Sequence, residues 1–482
     1  MLVIRPVSGA PLLQYPEATS RNGGSLARHI TYALQASLFI LSCTNVSPAQ
    51  VPKVQHVLIV LEEQFAATVA NSANQAVIWT ATAGAISAGL FTAPVVSNKT
   101  MVTLTANSVA VPSQSASATV QILPSTLPAS SSLTPSGPIQ INGQNGTVVE
   151  NLHITNPSGD CVVISNSTNV IIRRSEIGPC GGHGVKISGG KTTGIYDNFI
   201  HPEKPLATNC CDTHDGIFAN KTSNLSIQGN VIAYGESNIE VTNSTTVTAV
   251  GNFLLNPIDS DPSQPADGQS RGQNFQAWGR NSGITVENNY ALSSTDRSKY
   301  LFPENQEDSI NFGLTNGIVV QGNYITGGHS PSGCGVIADD ASNSAQFLNN
   351  TLLDTGQCGL SIASGTNQVV SNNRILNRTP VTGGGNTAIM VWNQYSSACG
   401  PVTVSGNIAT ETKPDGSQSG FWNGGGCGTV SSTNNTFDGA ALTLLTPPSK
   451  TMPPPSIPPV PKDCAVVTPF TNNPSLPSCS TK

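Results

Sequence analysis

The chain has 482 residues, of which 10% are charged and 5% aromatic, while 46 are glycine. Its length allows a sizeable hydrophobic core and more than one domain, since domains usually hold about 100 to 200 residues. The formal net charge of −6 gives no reason to expect nucleic acid or an anionic membrane as a partner.

The first 49 residues have the features of an export segment. Arg21 and Arg28 precede the apolar stretch 31–43, TYALQASLFILSC, which is too short to span a bilayer as a helix. Ser47-Pro48-Ala49 offers small residues to a signal peptidase, so cleavage after Ala49 is one prediction. The segment ILSC resembles a bacterial lipobox, so lipidation at Cys43 is the alternative. Both predict a secreted or cell-envelope protein of a bacterium.

Besides Cys43 the chain holds ten cysteines, and an even number in an exported protein indicates disulfides. Two pairs are close in sequence, Cys161 with Cys180 and Cys464 with Cys479, while the adjacent cysteines 210 and 211 are expected to pair elsewhere. No metal site is predicted, since the sequence has neither a CxxC pair nor a His/Cys cluster of the zinc-binding kind.

Residues 53–123 contain short alternating segments such as QFAATVA, AVIWTAT and MVTLTAN. Trp79, as a buried residue, and the turn GLFTAP at 89–94 resemble the bacterial immunoglobulin-like domains of the second group. The resemblance implies an N-terminal β-sandwich that serves as a spacer or anchor and carries no chemistry of its own. A Pro/Ser linker at 124–137 follows it.

From Asp160 to Asn435 the chain repeats a strand of the form Gly-apolar-x-apolar, a polar turn, a second apolar strand and an Asn. Side chains of a strand alternate between faces, so the second and fourth residues of each first strand share one face. These first strands are CVVI (161–164), GVKI (184–187), GIFA (216–219), NIEV (238–241), NFQA (274–277), SINF (309–312), GVIA (335–338), GLSI (359–362) and AIMV (388–391).

The Asn that closes each repeat recurs with a shortest step of 22 residues, at Asn198, Asn230, Asn252, Asn289, Asn323, Asn350, Asn373, Asn407 and Asn435. A period of this length predicts a solenoid. Val and Ile with Gly, Asn and Ser turns favour strands over the helical arcs of leucine-rich repeats. We therefore predict an all-β chain whose residues 138–445 form a right-handed parallel β-helix, with stacked Asn side chains as a structural ladder. A Pro-rich tail at 446–482 follows.

Three insertions, at 201–213, 257–271 and 293–306, are predicted to wall a groove beside the first strands. The outward residues of these strands form the groove floor: Val163, Lys186, Phe218, Glu240, Gln276, Asn311, Ile337, Ser361 and Met390. The turn before each strand gives a second column: Asp160, His183, Asp215, Ser237, Gln273, Asp308, Cys334 and Cys358, with His214 and Glu307 one residue earlier. A third column, two residues after the outward positions, contains Asn220, Thr242, Trp278 and Asp339.

His214 and Asp215 are the predicted acid/base groups, with Asp308 and Glu240 beside them, because carboxylates and imidazoles in a groove can move protons. The residues predicted to hold sugar are Lys186, Asn220, Gln276, Trp278 and Asn311. Rungs about 4.8 Å apart predict a separation from Asp215 of about 5 Å for Glu240 and about 10 Å for Asp160, and these bracket the separations in retaining and inverting glycosidases. The alternative is that these polar groups merely solvate the surface.

The segments SGDCVVIS at 158–165 and CGGHGVKIS at 180–188 resemble the polygalacturonases, which are pectin-cleaving β-helix hydrolases. The resemblance implies that Asp160 activates water, that His183 supports it, and that Cys161 and Cys180 form a disulfide. Gly159 stands where that family has the first Asp of a pair. The segment DTHD at 212–215 is similar to a motif of alginate C5-epimerases. More broadly, the repeats resemble the pectate-lyase-like superfamily.

β-Elimination from a uronate needs a base and a cation or basic group that neutralises the carboxylate. Two insertions contain such groups: Asp259, Asp261, Asp267 and Arg271 in one, and Asp296, Arg297 and Lys299 in the other. No fixed cofactor is predicted, and calcium remains open at these loops.

We predict a monomeric, exported, carbohydrate-active protein that binds a polysaccharide and cleaves or modifies it as a lyase or a hydrolase. The alternative is an adhesin that binds glycan without catalysis, and Gly159 in place of the family's Asp favours it. The two differ in whether the carboxylates and histidines converge in a groove.

Overall fold

The computed structural model describes residues 2–6, 55–58, 62–69, 72–92, 94, 100–122, 132–202, 214–257, 272–293 and 307–446. The chain divides into two compact units, residues 1–124 and 125–482. Strands are numbered in chain order. Within the described residues there is one helix, α1 (Asp438–Leu445), and no helix has the length and apolar character needed to span a bilayer.

The first unit contains two four-stranded sheets. Its strands are β1 (Leu2–Pro6), β2 (Gln55–Leu58), β3 (Glu62–Val69), β4 (Val77–Ala81), β5 (Ala85–Ser87), β6 (Leu90–Thr92), β7 (Thr100–Ser108) and β8 (Ser115–Ile122). One sheet has the order β1-β3-β6-β5 and is antiparallel; the other has the order β2-β8-β7-β4, with β2 parallel to β8.

Both sheets contribute to one core, in which Phe65 and Phe91 pack with Val102, Leu104 and Val120. The unit is therefore a β-sandwich, while its assignment as immunoglobulin-like remains a prediction. Trp79, which was predicted to be buried, is half-buried and packs against this core. The strand β1 lies within the predicted export segment, and the rest of that segment lies outside the described residues.

The second unit is built of three long sheets. The first sheet contains β10 (Ile139–Asn142), β13 (Val162–Ser165), β16 (Val185–Ser188), β19 (Ile217–Asn220), β22 (Ser237–Thr242), β25 (Gln273–Trp278), β28 (Ile310–Gly313), β31 (Ser330–Ala338), β34 (Gly356–Ile362), β37 (Ile389–Trp392) and β41 (Phe421–Gly425). The second sheet contains β11 (Val148–Glu150), β14 (Thr168–Arg173), β17 (Lys191–Tyr196), β20 (Ser223–Gln228), β23 (Thr245–Val250), β26 (Ser282–Glu287), β29 (Asn316–Gln321), β32 (Asn343–Leu348), β35 (Gln368–Ser371), β38 (Val402–Ser405) and β42 (Val430–Thr433).

The third sheet contains β9 (Thr134–Ser136), β12 (Leu152–Asn156), β15 (Glu176–Cys180), β18 (Phe199–Ile200), β21 (Val231–Ala233), β24 (Phe253–Leu255), β27 (Tyr290–Ser293), β30 (Tyr324–Gly327), β33 (Thr351–Leu353), β36 (Arg374–Asn377), β39 (Ile408–Thr412), β40 (Gln418–Ser419) and β43 (Thr436–Phe437). Neighbouring strands in all three sheets pair in parallel, except that β40 is antiparallel to β39. The predicted parallel β-helix is confirmed, and we number its rungs 1 to 11 by the strands of the first sheet.

The interior is filled by the alternating Val, Ile, Leu and Phe side chains of the repeats, such as Val185, Ile187 and Phe275, which are fully buried. This alternation is what the second and fourth positions of each first strand predict. The strand β9 begins inside the predicted linker 124–137. At the other end, Ala441 and Leu445 of α1 pack against Leu376 at the end of the third sheet.

The predicted Asn ladder is present in every rung from Asn198 to Asn435. In each step the main-chain N–H and the side-chain Nδ2 of one Asn both donate to Oδ1 of the next, at 2.9–3.0 Å. The same Nδ2 also donates to a main-chain carbonyl of the preceding rung, as Asn323 does to Val286 at 2.8 Å. The ladder therefore satisfies buried amides and fixes the register of the rungs.

Three disulfides lie within the described residues: Cys161–Cys180, Cys334–Cys358 and Cys399–Cys427. The first confirms a predicted pair. Cys464, Cys479 and the adjacent cysteines 210 and 211 lie outside the described residues.

We expect Asn323→Ala to lower the free energy of unfolding by at least about 2 kcal/mol, because it leaves the buried main-chain N–H of Asn289 without an acceptor and removes one of the two acceptors of its Nδ2. Urea unfolding followed by circular dichroism measures this. Asn316→Ala makes the same change at an exposed position and should stay within about 0.5 kcal/mol of the wild type. Equal losses in the two variants would contradict a structural role for the ladder.

Candidate functional site

The outer face of the first sheet contains the predicted groove floor. Strand pairing places Lys186, Phe218, Glu240, Gln276 and Asn311 side by side on successive rungs. Val163 precedes them, and Ile337, Ser361, Met390 and then Trp422 continue the column. The predicted alignment of this outward column is confirmed, and its charged and amide side chains lie on rungs 3 to 7.

The third column lies beside the outward column on the same face. Asn220, Thr242, Trp278 and Gly313 are paired on successive rungs, and Asp339 follows, with its N–H bonded to Phe312 O at 2.7 Å. Asn220 is half-buried and its Oδ1 has no hydrogen-bond partner. A Cβ atom at Gly313 would lie 2.2 Å from the Trp278 ring, so this ring lies directly over the glycine backbone.

The side chains of the turn column have a structural function that the repeat pattern alone did not predict. Asp160 Oδ1 accepts the His183 N–H, and His183 Nδ1 accepts the Asp215 N–H, at 2.9 and 3.0 Å. In the same way Asp215 Oδ1 accepts from Ser237 and Asp308 Oδ1 accepts from Cys334, at 3.0 and 2.7 Å. Each side chain thus satisfies a main-chain N–H of the next rung. The equal position of these residues in successive repeats was the available signal.

Burial separates the predicted acid/base groups into two sets. His214, Asp215 and Asp308 are 3%, 0% and 4% exposed, and His183 is equally buried. Glu240 and Asp160 are partly exposed on or beside the outer face. A substrate lying on this face could therefore contact Glu240 and Asp160, but not the buried carboxyl of Asp215, which is one of the predicted acid/base groups.

The buried pair beneath the face is Asp215 and His183, with Asp215 Oδ2 3.3 Å from His183 Nδ1. Burial raises the pKa of Asp215 to about 7 and lowers the pKa of His183 to about 4. Between these values both groups are neutral, so the contact joins a carboxylic acid to an imidazole and is no ion pair. Since His183 Nδ1 accepts the Asp215 N–H, the ring proton lies on Nε2.

Glu240 is the outward carboxyl of rung 5. Burial, and after it the nearby Asp215, raise the pKa of Glu240 to about 8. A carboxyl that keeps its proton at neutral pH on a partly exposed surface can act as a general acid.

Lys186, two rungs from Glu240, forms an ion pair with Asp160, which lies three rungs from Glu240 in the turn before rung 2. The Lys186 Nζ and Asp160 Oδ2 atoms are 3.4 Å apart. The side chains of Asp160 and Lys186 are 23% and 37% exposed, so a ligand can reach both. Phe218 lies on the rung between Lys186 and Glu240 and stacks on the His183 ring, with centroids 5.0 Å apart. The sequence predicts Phe218 in the groove floor without a function, and its position gives the site an apolar base.

A second cluster occupies rungs 7 to 10. Asn311 Nδ2 donates to Asp308 Oδ2 at 2.9 Å, and the Asn311 amide also hydrogen-bonds Asp339. Tyr395, from the segment after β37, donates its hydroxyl to Asp339. Burial raises the pKa of both Asp308 and Asp339. Tyr395 was not predicted from the sequence, because it comes from a loop two rungs farther along the chain.

The three insertions start after strands of the third sheet and return to strands of the first sheet, so all leave the β-helix at the same turn. Residues 203–213, 258–271 and 294–306 lie outside the described residues. The proposed calcium-binding loops, with Asp259, Asp261, Asp267 and Arg271 or Asp296, Arg297 and Lys299, are among them. Elsewhere in the described ranges, no group of three or more His, Cys, Asp or Glu side chains could hold a metal ion.

A family model described as a right-handed beta-helix region matches residues 138–257, and it supports the handedness of the fold. No curated protein matches the chain. Among solved structures, DFA-IIIase from Arthrobacter chlorophenolicus A6 in complex with DFA-III is 16% identical, over 53% of this chain and 59% of that one, with a TM-score of 0.36. The Dettilon tailspike protein is 13% identical, over 57% of this chain and 54% of that one, with a TM-score of 0.43. The chain thus spans less than two thirds of either protein, and likenesses this weak carry no argument about its activity.

Asp215→Asn keeps an acceptor for the Ser237 N–H and removes the ionisation. Because the pKa of Asp215 is raised to about 7, the folded state holds a proton that the unfolded state loses above about pH 4. Wild-type stability therefore falls, through this group, as pH rises from about 4 to about 7. We expect the variant to gain stability relative to the wild type across that window, on the order of a few kcal/mol.

Urea unfolding at a series of pH values measures this gain. The control is Asp415→Asn, at an exposed turn residue whose pKa is lowered by hydrogen bonds from Ser417. The free energy of unfolding of Asp415→Asn should show no gain over the wild type as pH rises from about 4 to about 7. A constant difference between Asp215→Asn and the wild type at all pH values would contradict the raised pKa.

Proposed function

We propose that this protein hydrolyses glycosidic bonds of a polysaccharide that lies along the outer face of the first sheet. The observation that carries the proposal is the position of Glu240, a partly exposed carboxyl with a pKa raised to about 8, on the same face as the Asp160–Lys186 pair. In this proposal Glu240 is the general acid and Asp160 the general base.

The chemistry requires one proton donor and one proton acceptor on opposite sides of the scissile bond. Glu240 protonates the leaving oxygen as the bond from that oxygen to the anomeric carbon breaks. Asp160 takes a proton from the water whose oxygen bonds to the same carbon. Asp160 precedes the strand of rung 2 and Glu240 lies on rung 5, so the two carboxyls are three rungs apart, about 14 Å at 4.8 Å per rung. Inverting enzymes need about 6.5 to 9.5 Å for this water, so the proposal requires the Asp160 and Glu240 side chains to turn toward each other when substrate binds.

The neighbours of the two carboxyls support this assignment. The Lys186 ammonium lies beside Asp160, with Nζ 3.4 Å from Oδ2. Phe218 offers an apolar surface between acid and base on which a sugar ring could pack. The buried Asp215–His183 pair contacts no substrate in this proposal; it holds the turns of rungs 3 to 5 and, through Asp215, helps keep Glu240 protonated.

Beyond the site, we propose that the protein is exported and acts as a monomer, with the N-terminal sandwich as an immunoglobulin-like spacer. The three disulfides fit an oxidising compartment. Export after Ala49 and lipidation at Cys43 remain alternative proposals.

A specific observation favours a second candidate, binding of glycan without cleavage. The side chains of Asp160, His183, Asp215 and Asp308 all bond main-chain N–H groups of the next rung. Their presence in successive repeats is thus explained by the fold alone. In this case the outer face would hold a polysaccharide and Glu240 would serve only as a hydrogen-bond donor.

The test is incubation of residues 50–482 with pectic, alginate, glycosaminoglycan and neutral polysaccharides, with calcium and then with chelator. Reducing ends that rise without unsaturated-uronate absorbance support hydrolysis. A rise in both reducing ends and unsaturated-uronate absorbance would mean that the protein cleaves by β-elimination and not by hydrolysis. Binding of a polysaccharide without either signal would support the second candidate.

Glu240→Gln should lower the rate of cleavage by about 10² to 10⁴ while binding is kept, because the amide preserves the shape of the acid but has no proton to transfer. Wild-type cleavage should also decline as pH rises through about 8, where the acid ionises. Reducing-end assays over a pH series measure both effects. The matched control is Glu287→Gln on the second sheet, and an equal loss in that variant would contradict the assignment.

Lys186→Glu should weaken the binding of an acidic polysaccharide at least about tenfold more than the binding of a neutral one. The reason is that the introduced negative charge repels a carboxylate. Michaelis constants for both substrate classes measure the difference. Lys191→Glu, at an exposed position of the second sheet, should change neither. Equal effects of Lys186→Glu on both classes would mean that no uronate binds beside Lys186.

A further inference from the structure

We propose that Trp278, Asn311, Asp339 and Tyr395 form a second sugar-binding subsite, and that it takes a neutral sugar unit. The subsite lies on the same outer face as Glu240, one to three rungs farther along the β-helix. It rests on the proposed function in one respect, because a glycan that reaches it would continue from the Glu240 region.

Trp278 provides the platform of this subsite. The residue is 38% exposed, and its ring lies over Gly313, where a Cβ atom would come within 2.2 Å of the ring. One face of the indole therefore packs on the sheet, and the ring stays available at the surface. A flat aromatic ring held in this way can stack against the apolar face of a sugar.

Asn311 gives the observation that points to a ligand. It stands in the outward column and is only 3% exposed, yet its Oδ1 has no hydrogen-bond partner. Its amide nitrogen donates to Asp308 Oδ2 at 2.9 Å, so the oxygen is fixed in direction. An unpartnered buried acceptor costs free energy unless something donates to it.

Asp339 repeats this pattern one rung farther. Its Oδ1 is also buried without a hydrogen-bond partner, although the carboxyl hydrogen-bonds Asn311 and Tyr395. The Tyr395 ring is 39% exposed and arrives from the segment after β37, which is held by the bond from Gln394 N–H to Ala363 O at 2.8 Å and by the Cys399–Cys427 disulfide. Tyr395 therefore forms a wall over Asp339.

The chemistry of these groups selects the ligand. Asn311 Oδ1 and Asp339 Oδ1 are both acceptors, so the ligand must donate, as sugar hydroxyls do. The charged groups that act on Asp308 and Asp339 are Glu307, Asp339 and Asp340, all of them acids. A uronate carboxylate would be repelled here, whereas Lys186 could accept one at the other end of the face. The two ends thus differ in the sugar that each prefers.

The test is calorimetric binding to the Glu240→Gln protein, which should not degrade its ligand. The probes are neutral oligosaccharides of glucose, xylose, mannose and galactose, an oligogalacturonate, and calcium chloride. Tyr395→Phe removes only the hydroxyl and should lower the affinity for the tightest-binding neutral ligand about tenfold. Trp278→Ala should lower this affinity further. Tyr196→Phe on the second sheet is the matched control and should change the affinity less than twofold. Thermal melting verifies that each variant is folded.

The subsite is overturned if neutral ligands bind to Tyr395→Phe and Trp278→Ala with the same affinity as to the Tyr196→Phe control. It is also overturned if none of the neutral oligosaccharides binds. Calcium binding that Asp339→Asn abolishes would make the cluster a cation site and also overturn it. Cleavage by the wild type is measured separately, so a failure of the proposed hydrolysis leaves the binding result interpretable.

Discussion

The structure depends on one repeated interaction, the hydrogen bonding of a buried Asn amide to the next Asn in the stack. Each step from Asn198 to Asn407 uses the main-chain N–H and the Nδ2 of one residue and the Oδ1 of the following one. Because these groups have no access to water, a shift of one residue in any rung would leave several of them unpaired. The ladder therefore holds the strands in register, and only in that register do the outward side chains of the first sheet form continuous columns.

A second set of contacts, in the turn before each first strand, links the fold to the candidate chemistry. Asp160, His183, Asp215 and Asp308 bond the next rung through one polar atom each. The second carboxyl oxygens of Asp160, Asp215 and Asp308 face Lys186, His183 and Asn311, respectively. A carboxyl has two oxygens, so one can stabilise the turn while the other shapes the electrostatics of the face above it. In Asp215 this second oxygen is buried, and its influence reaches a ligand only through Glu240.

Much of this fold follows from the sequence, because a period-two pattern of Val and Ile repeated with a closing Asn allows few alternatives. The outward column and the Cys161–Cys180 pair follow from the same pattern and from the motif around them. The burial of His214, Asp215 and Asp308 does not, since alternation predicts the direction of a side chain within a strand and says nothing of one in a turn. Tyr395 could not be predicted either: it reaches Asp339 from two rungs away, through a segment without repeat periodicity.

The short helix α1 and the antiparallel strand β40 at the end of the third sheet have a consequence for the behaviour of the molecule in solution. A parallel sheet that ends on a bare strand offers unpaired N–H and C=O groups to any other extended chain, including another copy of itself. Here β40 runs against β39, and Ala441 and Leu445 of α1 cover Leu376. The last rung of that sheet is thus a poor template for strands from another copy of the chain.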